Sequence, residues 1–189
     1  MGRVDADGDA NDDPEEARAP DVVRDAWNRT VEDVRAMARD RETAGYETVT
    51  LFADDTTPVA PGEDDSDRWG LTYLVDSDDA ASFRALADRT SFDETAVYQR
   101  TVQRNVFVAT ECIDHDAAVV LFVAGVYRLH HAGDLARAAT ERGRMRTRIR
   151  ELDGTVVGAV EHDDAESFFP NPERFPSRDE RDVGGAPDE

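Results

Sequence analysis

Tyr127-Arg128-Leu129-His130-His131-Ala132-Gly133-Asp134 brings a guanidinium, two imidazoles and a carboxylate into one short stretch. It lies where an apolar run gives way to helical spacing. A helix N-terminus presents free N–H groups and positive potential, which draw anions. Arg128, His130, His131 and Asp134 are therefore candidates for an anion or small-ligand pocket. The same histidines also read simply as caps on a strand end. Neighbours on a strand point to opposite faces, so His130 and His131 make a poor chelating pair, and no metal is expected. Glu111 and His162 would join this site only if the fold brought them near.

Other reactive groups read as structural. Cys112 adjoins Glu111, whose charge would raise the thiol pKa and blunt a nucleophile, so Cys112 is expected in the core. Asp114-His115-Asp116 has the residue types of an ordinary turn. No G-x-S-x-G, Walker loop, G-x-G-x-x-G or H-E-x-x-H occurs. No cofactor is implied, and no catalytic residue is assigned.

Arginine is concentrated late in the chain, at Arg137, Arg142, Arg144, Arg146, Arg148 and Arg150, against Glu141. The spacing of Leu135, Ala138, Met145, Ile149 and Leu152 predicts a helix over 133–152. On that helix the arginines spread around the axis and Arg142 falls in the apolar seam. Arg142 is then expected to be more buried than Arg144 or Arg148 and bonded outside its own helix. Arg142, Arg144, Arg146 and Arg148 are expected to pair with nearby carboxylates and an acidic appendage. They also suit a dimer or an acidic protein partner. Nucleic acid is disfavoured, because salt steeply weakens phosphate contacts.

The elements that would position these groups follow from spacing and punctuation. Asp21 opens a helix carrying Val23, Trp27, Thr30, Val31, Val34, Met37 and Ala38, closed by Gly45. Strands are expected over 46–53 and 69–75, then a short helix capped by Ser77 or Asp78. Strands over 95–102, 106–113 and 117–129 follow as a meander, then the long helix and a last strand over 155–160. Val119 to Ala124 is apolar without alternation, so that strand needs cover on both faces and should be central. Phe168, Phe169 and Phe175 are expected to pack back on the body. The fold class is thus α+β, with a mainly antiparallel sheet of five to six strands and the order α-β-β-α-β-β-β-α-β.

The 189 residues allow one domain with a real core, and 39% are hydrophobic. All 22 basic residues are arginine, against 43 acids, giving a net charge of -21. Most of that charge sits in residues 1–21, 161–189 and the acidic loop 54–68. Residues 1–20 and 177–189 read as disordered tails flanking a single domain over 21–176. The acidity argues against anionic lipid and nucleic acid as partners. The apolar run Ala117 to Tyr127 is too short for a bilayer, which needs about 20 residues. The acidic N-terminus lacks the pattern of a signal peptide, so a cytoplasmic location is expected.

The absence of lysine and the excess of aspartate suit molar intracellular salt. Several segments, among them Trp27-Asn28-Arg29-Thr30, Arg68-Trp69-Gly70-Leu71 and Leu152-Asp153-Gly154-Thr155, are similar to an uncharacterised acidic protein family of halophilic archaea. That resemblance implies habitat and a shared domain of unknown function, not chemistry. The element order over 21–152 also resembles the roadblock and longin group of profilin-like domains. This implies one five-stranded antiparallel sheet with helices on both faces.

These features suggest a non-enzymatic interaction or dimerisation module. The competing reading is a small-ligand or anion-binding domain, an enzyme among its forms, centred on His130–Asp134. At 1 M salt the screening length is about 3 Å, so the clustered acids tolerate one another there. Circular dichroism should show partial loss of structure as KCl falls from molar to about 0.1 M. Deleting 1–20 and 177–189 should lower the salt requirement. An unchanged requirement would place the decisive acids within the body.

Overall fold

Ala26, Thr30, Val34 and Ala38, each four residues apart, form the buried stripe of the first helix, α1 (Pro14–Thr43). Their small size lets the helix axis approach a sheet closely. The structure, a computed structural model, describes residues 14–63 and 67–171. α1 begins at Pro14, ahead of the expected start at Asp21. Gly45, at φ +96°, reverses the chain after it as expected. Most of both expected tails, and Phe175, lie outside the described residues.

The strands are β1 (Glu47–Phe52), β2 (Asp55–Val59), β3 (Gly70–Val75), β4 (Glu94–Val102), β5 (Asn105–Asp114), β6 (Val119–Arg128), β7 (Met145–Glu151) and β8 (Val156–His162). Two further helices are α2 (Ser77–Ala87) and α3 (Gly133–Arg142). Asp76 caps α2, its side chain accepting from the Asp79 N–H at 2.8 Å. The fold is α+β, but the expected single antiparallel sheet is instead two mixed four-stranded sheets. Sheet A has the order β1-β6-β5-β4 and sheet B the order β2-β3-β7-β8. The pairs β1–β6 and β3–β7 are parallel and the others antiparallel.

Two segments account for the difference from the expected order. The acidic loop contains β2, an edge strand that accommodates Pro58 because an edge needs fewer ladder donors. The long helix over 133–152 does not form. α3 stops at Arg142, because Gly143 adopts the left-handed conformation (φ 63°) and ends it, and the chain continues as β7.

β6 is interior to sheet A, and both its faces are buried. Val120, Phe122 and Ala124 pack under α1 with Val34 and Ala38. Val119, Leu121 and Val123 face the main core with Leu71, Tyr73 and Ile149 of sheet B. α2 and α3 contribute Phe83, Leu86, Leu135 and Ala139 to that core. Phe168 and Phe169 are buried there as expected, and the Tyr127 hydroxyl donates to the Phe168 carbonyl at 2.7 Å.

Sheet B approaches sheet A closely at Gly125 of β6. A Cβ there would press on the Thr56 hydroxyl and stand 2.9 Å from Tyr73 Cε1. Gly125→Ala should therefore destabilise by about 1–3 kcal/mol through overpacking. Gly143→Ala meets open space and carries only the left-handed backbone cost, about 1 kcal/mol. Urea midpoints of the two variants test this order, and equal shifts would mean that the sheets do not approach so closely.

Candidate functional site

β7 alternates strictly. Met145, Thr147 and Ile149 are buried toward the main core, while Arg146, Arg148 and Arg150 emerge on the outer face of sheet B. The arginines that a helix would have spread around an axis thus share one surface. The cross-strand neighbours of Arg148 are short, Thr72 of β3 and Ala159 of β8. Such neighbours leave space for guanidinium groups to lie over the sheet. At Gly70 a side chain would strike the Arg146 backbone, so the β3–β7 pairing requires glycine there.

The arginines on this face differ in partnership. Arg146 reaches the Asp67 carboxylate at 2.9 Å and that of Glu161 at 3.6 Å. Arg144, just before the strand, lies 3.5 Å from Glu161. Arg148 donates to the Arg68 carbonyl at 2.9 Å and lies 3.4 Å from the Thr72 hydroxyl. Arg150 donates to the Gly154 carbonyl at 3.0 Å. Among the described residues, Arg68, Arg148 and Arg150 pair with no carboxylate. They line a hollow of about 590 Å³ where Asp55 is the single acid among the described residues. Burial, then the charges of Arg146, Arg150 and Arg68, push the Arg148 pKa below the usual guanidinium range. An anion in this hollow would relieve that repulsion.

The strand–helix junction is built differently from this hollow. His130 and His131 lie exposed on a single 3-10 turn, Leu129–His131, with ring centroids 4.0 Å apart. Desolvation and the neighbouring His131, Arg128 and Arg104 lower the His130 pKa. Asp134, in the first turn of α3, forms an ion pair with Arg137. Arg128 is exposed at the end of β6. Arg142 is exposed and Arg148 only partly so, which reverses the expected order of burial. The reason is register, since Arg142 is the last helical residue and lies in no seam. It does reach outside its helix, with its guanidinium 5.1 Å from the Trp69 ring centroid.

Glu111 and His162 are not brought to the junction or to each other. Glu111 faces α1, where it accepts from Arg41 Nε at 2.6 Å and from the Tyr98 hydroxyl at 3.1 Å. The Glu111 hydrogen bond raises the Arg41 pKa. His162 lies between the sheets, its Nδ1 3.0 Å from the Thr95 hydroxyl and its Nε2 2.9 Å from that of Thr147. Cys112 is buried as expected, and desolvation pushes its pKa up to about 12. The Asp114-His115-Asp116 turn is confirmed. The N–H groups of Ala117 and Ser91 hold the Asp114 carboxyl below its usual range. No group of three or more His, Cys, Asp or Glu residues that could hold a metal occurs among the described residues. No helix there is long and apolar enough to cross a membrane.

The chain belongs to the family of unknown function DUF7529, whose model matches residues 14–170. The match spans both sheets, all three helices and the arginine hollow. No curated protein and no solved structure matches the chain.

His162 gives the interior a pH signature. Desolvation lowers its pKa to about 4, below the ordinary 6.5. Above pH 6.5 it is neutral in both the folded and unfolded states. Between 6.5 and 4 the unfolded chain takes up a proton that the folded chain refuses, so stability falls with pH. The loss reaches about 3 kcal/mol at the lower end. Urea unfolding from pH 7 to 4 should show a smaller acid loss in His162→Gln than in the native protein. Parallel profiles would refute the buried neutral imidazole.

Proposed function

We propose that this domain is a binding module that recognises an anionic group in the arginine hollow on the outer face of sheet B. The observation carrying this reading is that Arg68, Arg148 and Arg150 line one hollow without a carboxylate partner among the described residues. In a chain of net charge -21, acids to neutralise them are abundant, yet the neighbouring Arg144 and Arg146 are the ones that have them. The groups in the hollow favour binding over catalysis. Guanidinium stays protonated at any physiological pH and cannot act as a general base. The threonine hydroxyls have no histidine beside them to activate them.

The charge donors are also held in place. Carbonyl oxygens fix one edge of the Arg148 and Arg150 guanidiniums and leave other N–H groups for a ligand. Such preorganisation reduces the entropy lost on binding. This reading takes up the anion-binding alternative expected from the sequence in preference to the interaction or dimerisation module. It moves the site from His130–Asp134 to sheet B. A protein partner or homodimer would engage the same face through an acidic group.

Inorganic phosphate is the simplest probe. Isothermal titration calorimetry at a fixed KCl concentration should detect binding that weakens as KCl rises. Arg148→Ala and Arg150→Ala should each reduce affinity about tenfold, the scale of one lost charge-assisted contact. Arg144→Ala, outside the hollow, should change it little. No binding, or equal effects of all three variants, would overturn the proposal.

A further inference from the structure

The hollow has more to offer than charge, and its size, shape and walls narrow the class of ligand. Resting on the anion-binding reading, we infer that it takes a small phosphate ester, with the phosphate on Arg68, Arg148 and Arg150 and an apolar body against Val59, Leu74 and Val156. At about 590 Å³ the hollow is in the range of small-molecule sites and far larger than a bare phosphate needs. Val156 is 54% exposed beside the guanidiniums, an apolar surface that a ligand body would cover. Thr57 and Thr72 stand opposite each other on β2 and β3 and add hydroxyl groups to the same lining.

The distribution of free charge argues for a compact ligand. A long acidic peptide or a nucleic-acid strand would need cations along the whole of β7. At one end of that row Arg144 and Arg146 are already engaged by Glu161 and Asp67. On this face the guanidiniums without acid partners among the described residues, those of Arg68, Arg148 and Arg150, line a single hollow. A phosphate dianion can accept paired N–H bonds from more than one guanidinium, which a single carboxylate does less well.

The test compares phenyl phosphate with inorganic phosphate on the full chain, by calorimetry at one KCl concentration. Phenyl phosphate should bind at least tenfold more tightly, a gain that covering a small patch of apolar surface can supply. Val156→Ser, at an exposed position on an edge strand, should remove that gain, read as the ratio of the two affinities. Arg148→Ala should weaken both ligands, and thermal unfolding of each variant establishes that it is folded. Equal affinity for the two ligands would overturn the ester proposal and leave the anion site standing. Binding of neither would overturn both. Tighter binding of citrate than of phenyl phosphate would reassign the ligand to polycarboxylates and overturn the proposal. Sedimentation showing a dimer that Arg148→Ala dissociates would give the face to a second copy and overturn it as well.

Discussion

The double burial of β6 is the constraint from which the architecture follows. Val119 to Ala124 are apolar at every position, so both faces of this strand must leave water. One face is covered by α1, whose small residues allow close approach. The other cannot be covered by α1 as well, and sheet B fills that role with Leu71, Tyr73 and Ile149. A sheet recruited as a lid has one face in the core and one left over. The leftover face is where β7 places its arginines. The candidate site is thus a by-product of how the centre of sheet A is buried, and a change to β6 would disturb it without touching an arginine.

Electrostatics then distinguishes positions of like composition. Arg41 and Glu111 form a partly buried pair that ties the end of α1 to β5, with the Tyr98 hydroxyl as a second donor. Glu111 is almost wholly buried, so removing Arg41 would strand its charge, while the intact pair contributes modestly. Arg146 pairs through one terminal nitrogen with Asp67, a residue of the acidic loop, and this links that loop to the sheet. Arg148 and Arg150 have carbonyl partners instead, which orient a guanidinium without neutralising it. That difference, and not the number of arginines, separates structural cations from candidate ligand-binding ones.

Two polar environments, one between the sheets and one on the surface, serve different ends. Between the sheets, Thr95, His162 and Thr147 form a closed chain of hydrogen bonds with no charge and little access to solvent. Desolvation keeps the imidazole neutral, so it behaves as a polar spacer in the core. On the outer face of sheet B the guanidiniums retain their charge and remain accessible. The first arrangement specifies packing, and the second is open to a ligand.

The sequence alone determined the elements whose signals are local. The β6 run, the amphipathic stripe of α1, the turns at Gly45 and Asp114–Asp116 and the burial of Cys112, Phe168 and Phe169 were all legible in it. The α+β class and a family of unknown function were legible as well. The arginine strand was misread because Leu135, Met145, Ile149 and Leu152 fit a helical seam, while Met145, Thr147 and Ile149 also fit a period of two. Two local signals favoured the strand: Gly143, which ends a helix in the left-handed conformation, and Asp153-Gly154, a hairpin turn between β7 and β8. Tertiary structure decided the rest. Whether an alternating segment becomes a strand depends on an available edge, and β3, distant in sequence, supplies that edge to β7 in parallel. That Arg68, Arg148 and Arg150 line one hollow likewise follows from the parallel pairing of β7 with β3, the strand that Arg68 precedes. Spacing along the chain carries no information about which side chains a parallel crossover will bring together.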